Sequence, residues 1–284
     1  MLLLIKYTLL YGIVLMLVAL GGMFSEHSGI INIALEGIMV IGGVAGVLTL
    51  TMLPASLSPF LVVLISILVA ALAGVIYSLL LAFASINLKA DQTIGGTALN
   101  LMAPALVLFF IRLLANQNTL QMYTGDSASW FMIKKTMLGY AKTDKLGFFA
   151  ETFLNKVYLA TYLCILIYVI LAVILYKTRF GLRLRSCGEN PQAADSLGIN
   201  VVKMRYAGVT ISGALAGLGG FVYAMTTANC SANGDVAGFG FLALAVMIFG
   251  NWKPLNVAGA ALLFGLFKCV AASYASLDLN GDGI

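Results

Sequence analysis

Hydrophobic residues occur along this chain in long blocks, with little of the alternation or one-sided striping that marks the elements of soluble proteins. A helix that crosses a bilayer needs about 20 mainly apolar residues. Blocks of that kind lie at roughly 2–22, 29–53, 60–86, 93–115, 157–176, 206–228 and 256–275, and each predicts a span. A shorter block at 236–250 brings the hydrophobic segments to about eight, some of them open to being broken or re-entrant. The pattern predicts an all-α, polytopic integral membrane protein, with residues 1–284 forming a single transmembrane domain. Polar residues gather in two true loops, 116–156 and 177–205.

Composition agrees with the pattern and adds an orientation. Of the 284 residues, 61% are hydrophobic and only 10% charged, and the mean hydropathy is +1.02; an average soluble domain is about 25% charged. A net charge of +5 in such a chain reports first which loops face the cytoplasm, and only weakly an acidic or nucleic-acid partner. The 177–205 loop carries Lys177, Arg179, Arg183, Arg185, Lys203 and Arg205 against Glu189 and Asp195, hard against the membrane on both sides, which places it in the cytoplasm. The 116–156 loop also holds lysines, Lys134, Lys135, Lys142, Lys145 and Lys156. One span separates the two loops, so they lie on opposite sides. Long loops translocate with less regard to charge, and Asp126, Asp144 and Glu151 sit among these lysines, so 116–156 is the extracytoplasmic loop. Counting spans from there puts the N-terminus outside, Lys89 and Lys253 on cytoplasmic turns, and the acidic tail outside.

Several kinds of chemistry are missing from the sequence. It has no nucleotide-binding G-x-x-x-x-G-K-[ST], no H-E-x-x-H and no G-x-S-x-G, and a single histidine, His27, whose expected role is interfacial. Cys164, Cys187, Cys230 and Cys269 are scattered and imply neither a disulfide framework nor a metal site. Asp278, Asn280, Asp282 and Gly283 match the first half of a calcium loop without its bidentate glutamate, an accidental similarity. The N-terminal block has no basic region ahead of it and no clear cleavage site, and is expected to be a retained span. What remains is a transport pathway, a channel or a scaffold subunit, with no enzymatic activity and no cofactor or metal expected in this chain.

Within "SGIINIALEGIMVIGG" (28–43), Ser28, Asn32 and Glu36 recur every fourth residue. On a helix they would form one polar stripe about 12 Å long. Such a stripe faces a bundle interior or a watery cavity, so these residues are candidates to line a solute route. Asn100, near the start of the 93–115 block, is a fourth. The structural alternatives are a Glu36 carboxylate paired with a base such as Lys89, and an Asn32 amide clamping two helices. "NGDVAGFGFLALAVMIFG" (233–250) is short and interrupted by Gly238 and Gly240. A glycine-interrupted segment in each half points to a midplane site, with the two segments facing each other.

The basic loop contains "GENPQAADSLG". Pro191 at a first helical position, Asn190 ahead of it as N-cap and Gly198 beyond its end predict a short capped helix, led in by a turn over Gly188, Glu189, Asn190 and Pro191. Together, "SEHSGIINIALEGIMVIGG", "GLRLRSCGENPQAADSLGIN" and "SGALAGLGGFVYA" resemble the permease subunits of bacterial ATP-binding-cassette importers in the branched-chain amino acid, ribose and nucleoside permease family, most closely the nucleoside (simple sugar) branch.

The resemblance implies that residues 186–200 are the coupling helix that docks on a separate ATPase, with Gly188, Glu189, Asn190, Pro191, Ala193, Ala194, Leu197 and Gly198 forming the contact. It further implies ATP and Mg used by that ATPase, a second homologous permease, an extracytoplasmic substrate-binding (lipo)protein, and a place in the bacterial cytoplasmic membrane. Members of the branch usually continue into another span past the point where this sequence stops. The expected solute is a nucleoside or related sugar-containing molecule, with pentoses and branched-chain amino acids as alternatives within the family. Outside it stand an ion-coupled secondary transporter or channel, for which Glu36 would be the coupling group, and an assembly subunit with no pathway of its own.

Overall fold

A computed structural model describes residues 2–54, 57–121, 132–133, 153, 157–228 and 231–273. Ten helices follow one another among them: α1 (Leu2–Glu26), α2 (Leu35–Met52), α3 (Pro59–Ile86), α4 (Gln92–Ala115), α5 (Leu159–Lys177), α6 (Arg179–Glu189), α7 (Pro191–Ser196), α8 (Val201–Thr226), α9 (Phe239–Phe249) and α10 (Pro254–Ser273). Seven of these, all but α6, α7 and α9, are long and apolar enough to cross a membrane. Two ladders of two residues per strand complete the described structure: β1 (Leu120–Gln121) pairs with β4 (Ser231–Ala232), and β2 (Met132–Ile133) with β3 (Val157–Tyr158). The rest of the 116–156 loop, Cys230 and the tail from 274 onward lie outside the described residues.

Helices α1, α2 and α8 form the centre, and most of their length is buried. The close approach of α2 to α8 follows from their glycines. A Cβ on Gly42 would overlap the backbone of Gly217, one on Gly220 would overlap Met39, and Gly74 of α3 meets Gly213 and Gly217 from the other side. With no water-driven burial to gain inside a bilayer, backbone proximity of this kind supplies the packing. Around the centre, α3, α4, α5 and α10 turn large apolar side chains outward, among them Phe60, Leu72, Ile76, Leu101, Phe109, Leu166 and Phe267. Hydrocarbon is a neutral solvent for that surface.

The connections sort to two ends. At one end Tyr206 donates to Asn87, Gly188 packs on His27, and Tyr176 reaches Trp252. This end carries Lys89, Arg179, Arg183, Arg185, Lys203, Arg205 and Lys253 and is called the basic end below. The β1–β4 pairing lies at the other.

Three expectations need correction. The second span does not begin at 29: residues 27–34 are irregular and the helix starts at Leu35. Ser28, Asn32 and Glu36 therefore do not form a stripe on one helix. The reason is local: Gly29 takes φ +87°, a left-handed conformation that ends a helix, after α1 has run to Glu26. The basic run 179–189 is itself helical, so Gly188 and Glu189 close α6 and the chain reverses at Asn190 alone.

Candidate functional site

Asn32 of the irregular segment donates from Nδ2 to Ser212 Oγ over 2.9 Å. Ser212 is the twelfth residue of the 26-residue α8, about 16 Å along it at 1.5 Å per residue. The break before α2 therefore reaches well into the membrane. Unpaired backbone groups there would cost several kcal/mol each, so irregular backbone survives only where protein satisfies it.

The satisfaction can be followed group by group. Ser25 Oγ donates to the Ile30 carbonyl (2.7 Å), and Gln92 Oε1 accepts from Ile31 N (2.8 Å). Asn100 Nδ2 donates to the Ile33 carbonyl (2.9 Å), while Asn32 Oδ1 accepts from Ala34 N (3.1 Å). Asn100 Oδ1 then accepts from Gly37 N (2.8 Å), one of the first-turn donors that an α-helix cannot satisfy within itself. Ser28 Oγ donates to the Ser25 carbonyl at 2.6 Å. Tyr77 fixes the same level of α4 by donating to the Leu99 carbonyl (2.6 Å). Ser28 and Asn32 are buried, and Asn100 is half-buried.

A second break faces the first. From Ala232 the chain turns inward through two successive side-chain turns, Asn233 Oδ1 accepting from Asp235 N and Asp235 Oδ1 from Ala237 N. Ala237 and Gly238 both take positive φ, +51° and +76°, and α9 starts at Phe239. Its first amides point at one carboxylate: Glu36 Oε1 accepts from Gly238 N (2.9 Å), and Oε2 from Gly240 N (2.6 Å) and Phe241 N (3.3 Å). Glu36 lies in the first turn of α2 and is half-buried. The short helix α9 thus directs its positive N-terminal end at a carboxylate that itself sits in the first turn of α2. Gly240 has to be glycine, since a Cβ there would overlap the Glu36 backbone.

Lys268 of α10, which the apolar block around it had hidden, closes the break from another side by donating to the Ala237 carbonyl at 2.8 Å. Ser212 and Tyr77 were missed for the same reason. The sequence-based expectation that the 28–43 and 233–250 segments face each other is met by the Glu36 contacts. The alternative pairing of Glu36 with Lys89 is not among them.

At the basic end, α7 has the predicted caps. Asn190 Oδ1 accepts from Ala193 N (3.1 Å), Pro191 opens the helix, and Gly198 takes φ +77°. Ala194 is buried against the protein, while Ala193 and Glu189 are exposed and Leu197 is 80% exposed. The arm formed by α6 and α7 is seated on the core at Gly188, where a Cβ would meet the His27 carbonyl and Gly29 N. Arg185 lies over the Tyr176 ring, 4.7 Å from its centroid, and the Tyr176 hydroxyl is 3.3 Å from His27 Nε2. Burial, with the Arg185 charge beside it, holds the His27 imidazole below its ordinary pKa.

Comparison with known proteins adds the family. Residues 4–280 match the family model described as branched-chain amino acid transport system / permease component. The nucleoside ABC transporter permease protein NupC of Lactococcus lactis is 42% identical over 93% of this chain and 80% of its own length. The guanosine ABC transporter permease protein NupQ of Bacillus subtilis is 42% identical over 97% of this chain and 83% of its own. A putative glucose ABC transporter permease protein, TsgC13 of Haloferax volcanii, is 29% identical over 95% of this chain and 77% of its own length. No solved structure matches the chain.

Proposed function

The chain belongs to the branched-chain amino acid transport system permease family, a family of multi-pass membrane proteins, and from that membership we propose that it is the permease subunit of an ATP-driven nucleoside importer. The observation that carries the substrate class is the 42% identity, over nearly the whole chain, to two permeases named for nucleoside and guanosine transport. The glucose-named relative is more distant, and pentose or amino acid import has less support.

In this reading the basic end is cytoplasmic, as the excess of Lys and Arg there favours. The exposed Leu197 and Ala193 of α7 dock on a separate ATPase, which uses ATP and Mg; this chain supplies no catalytic group and binds neither. A second permease completes the pathway and an extracytoplasmic binding protein delivers solute, all in the bacterial cytoplasmic membrane. Ser28, Asn32 and Asn100 act by holding the broken backbone in place. Glu36 and Asn100, the half-exposed members, sit where the solute passes the midplane.

The Glu36 geometry weighs against ion coupling, because both carboxylate oxygens are committed to backbone amides of α9. The test is uptake of labelled guanosine by vesicles containing this chain, its ATPase, the second permease and the binding protein. Uptake that requires ATP and persists in the presence of an ionophore is expected. Uptake that collapses with the ionophore at constant ATP overturns the reading.

A further inference from the structure

The densest cluster of aromatic and charged side chains beside the second break surrounds Phe239, the first residue of α9. Its buried ring is flanked by Tyr223 of α8 (centroids 4.9 Å, 53° between planes) and Tyr11 of α1 (5.9 Å, 59°). The Lys268 ammonium stands 5.2 Å from the same centroid. One turn away on α1, Tyr7 stacks on Tyr11 at 6.3 Å and 26°, with 44% of its surface open. The exposed Asp235 lines a crevice with Tyr223 and with Val40 and Val44 of α2.

These groups have different physical characters, and their combination selects a solute. Lys268, the fifteenth of the twenty residues of α10, is the one charged side chain on an otherwise apolar helix, and an ionisable group so placed is a candidate for function. Lys268 has three donors, and the Ala237 carbonyl takes one. Among the described residues no group of three or more His, Cys, Asp or Glu could hold a metal ion. On the nucleoside reading, the aromatic rings match a flat heteroaromatic face, the ammonium matches a carbonyl acceptor and the carboxylate matches vicinal hydroxyls. Carboxylates hydrogen-bond ribose hydroxyls, and stacking of a base on an aromatic side chain is worth about 1–3 kcal/mol. That strength lets a solute pause and still leave, as conduction requires.

We propose that this surface is a transient docking site for a nucleoside, with the base against Tyr7 and Tyr11, its carbonyl toward Lys268 and the sugar hydroxyls at Asp235. The inference rests on the nucleoside reading above and adds the residues that recognise each part of the solute.

The test uses the assembled importer in proteoliposomes, with native cysteines replaced by alanine and Ala237→Cys as reporter beside Lys268. Guanosine is expected to slow labelling of that cysteine by a membrane-impermeant maleimide severalfold, and ribose to slow it less. Tyr11→Leu should remove the protection while Tyr11→Phe retains it. Asp235→Asn, which keeps the oxygen that accepts from Ala237, should weaken protection by ribose more than protection by guanosine. Labelling that guanosine does not slow, or protection unchanged by both Tyr11→Leu and Asp235→Asn, overturns the docking site. Guanosine uptake is measured in the same vesicles: uptake without protection sinks the docking site alone, whereas absence of uptake sinks the nucleoside reading beneath it.

Discussion

Glu36 shows how one side chain can stand out in a sequence through a spacing that the fold does not use. Its spacing from Asn32 and Ser28 mimics a helical stripe, and nothing in the apolar residues between them, Ile30, Ile31 and Ile33, argues against a helix. The carboxylate instead replaces the missing turn ahead of α9, accepting three amides there. Glu36→Gln presents an NH₂ to donors on one side, leaving either Gly238 N or the Gly240 and Phe241 amides without an acceptor. The expected loss is about 1–3 kcal/mol of stability, seen as a lower melting temperature of the purified protein; an unchanged melting temperature would show that the contacts carry no weight. His27 gives a pH-dependent counterpart. Its folded pKa is depressed from 6.5 by burial and by Arg185, so below about pH 6.5 the unfolded chain binds more protons than the folded one and stability falls with pH. Melting temperatures measured between pH 7.5 and 5.5 should decline, and His27→Gln should flatten that decline relative to the unsubstituted chain.

At the scale of elements, what could be read from the sequence followed from local rules. The capped α7 was legible because proline, asparagine and glycine each act within one turn of themselves, and the seven spans because hydropathy sums over about 20 residues. The break at 27–34 was not, because its partners, Gln92, Asn100 and Ser212, come from helices far along the chain. Nor was α6, whose helix is seated by Gly188 against His27. For the arm the prediction is specific. Asn190→Ala removes a cap worth about 1 kcal/mol, and Gly198→Val forces a β-branched residue into φ +77°. The double variant should insert normally and lose most of its association with the ATPase in a pull-down, whereas unchanged recovery would show that α7 is not the docking element.

For the whole molecule, the two breaks are related in opposite senses. The segment 27–34 enters from the basic end and hands over to α2, which runs away from that end; 232–238 enters from the opposite end and hands over to α9, which runs back toward Trp252. Opposed breaks of this kind need the basic and β-paired ends to lie on opposite faces of the membrane. Asp195→Cys and Asp235→Cys, each in the cysteine-free protein, should therefore label from opposite sides of intact cells, the second from outside. Labelling of both from one side would refute the arrangement.

The Asn32 to Ser212 hydrogen bond also bears on how such a chain is made. Its two partners are 180 residues apart, so during synthesis the first half of the protein sits in the membrane with its interrupted segment still waiting for α8. Gln92 and Asn100 arrive earlier and can dress Ile31, Ile33 and Gly37, but the Asn32 amide and the Glu36 carboxylate stay unmatched until the last third of the chain emerges. The nascent half is therefore a natural target for membrane quality control. Its last polar groups are matched only when the closing helices arrive.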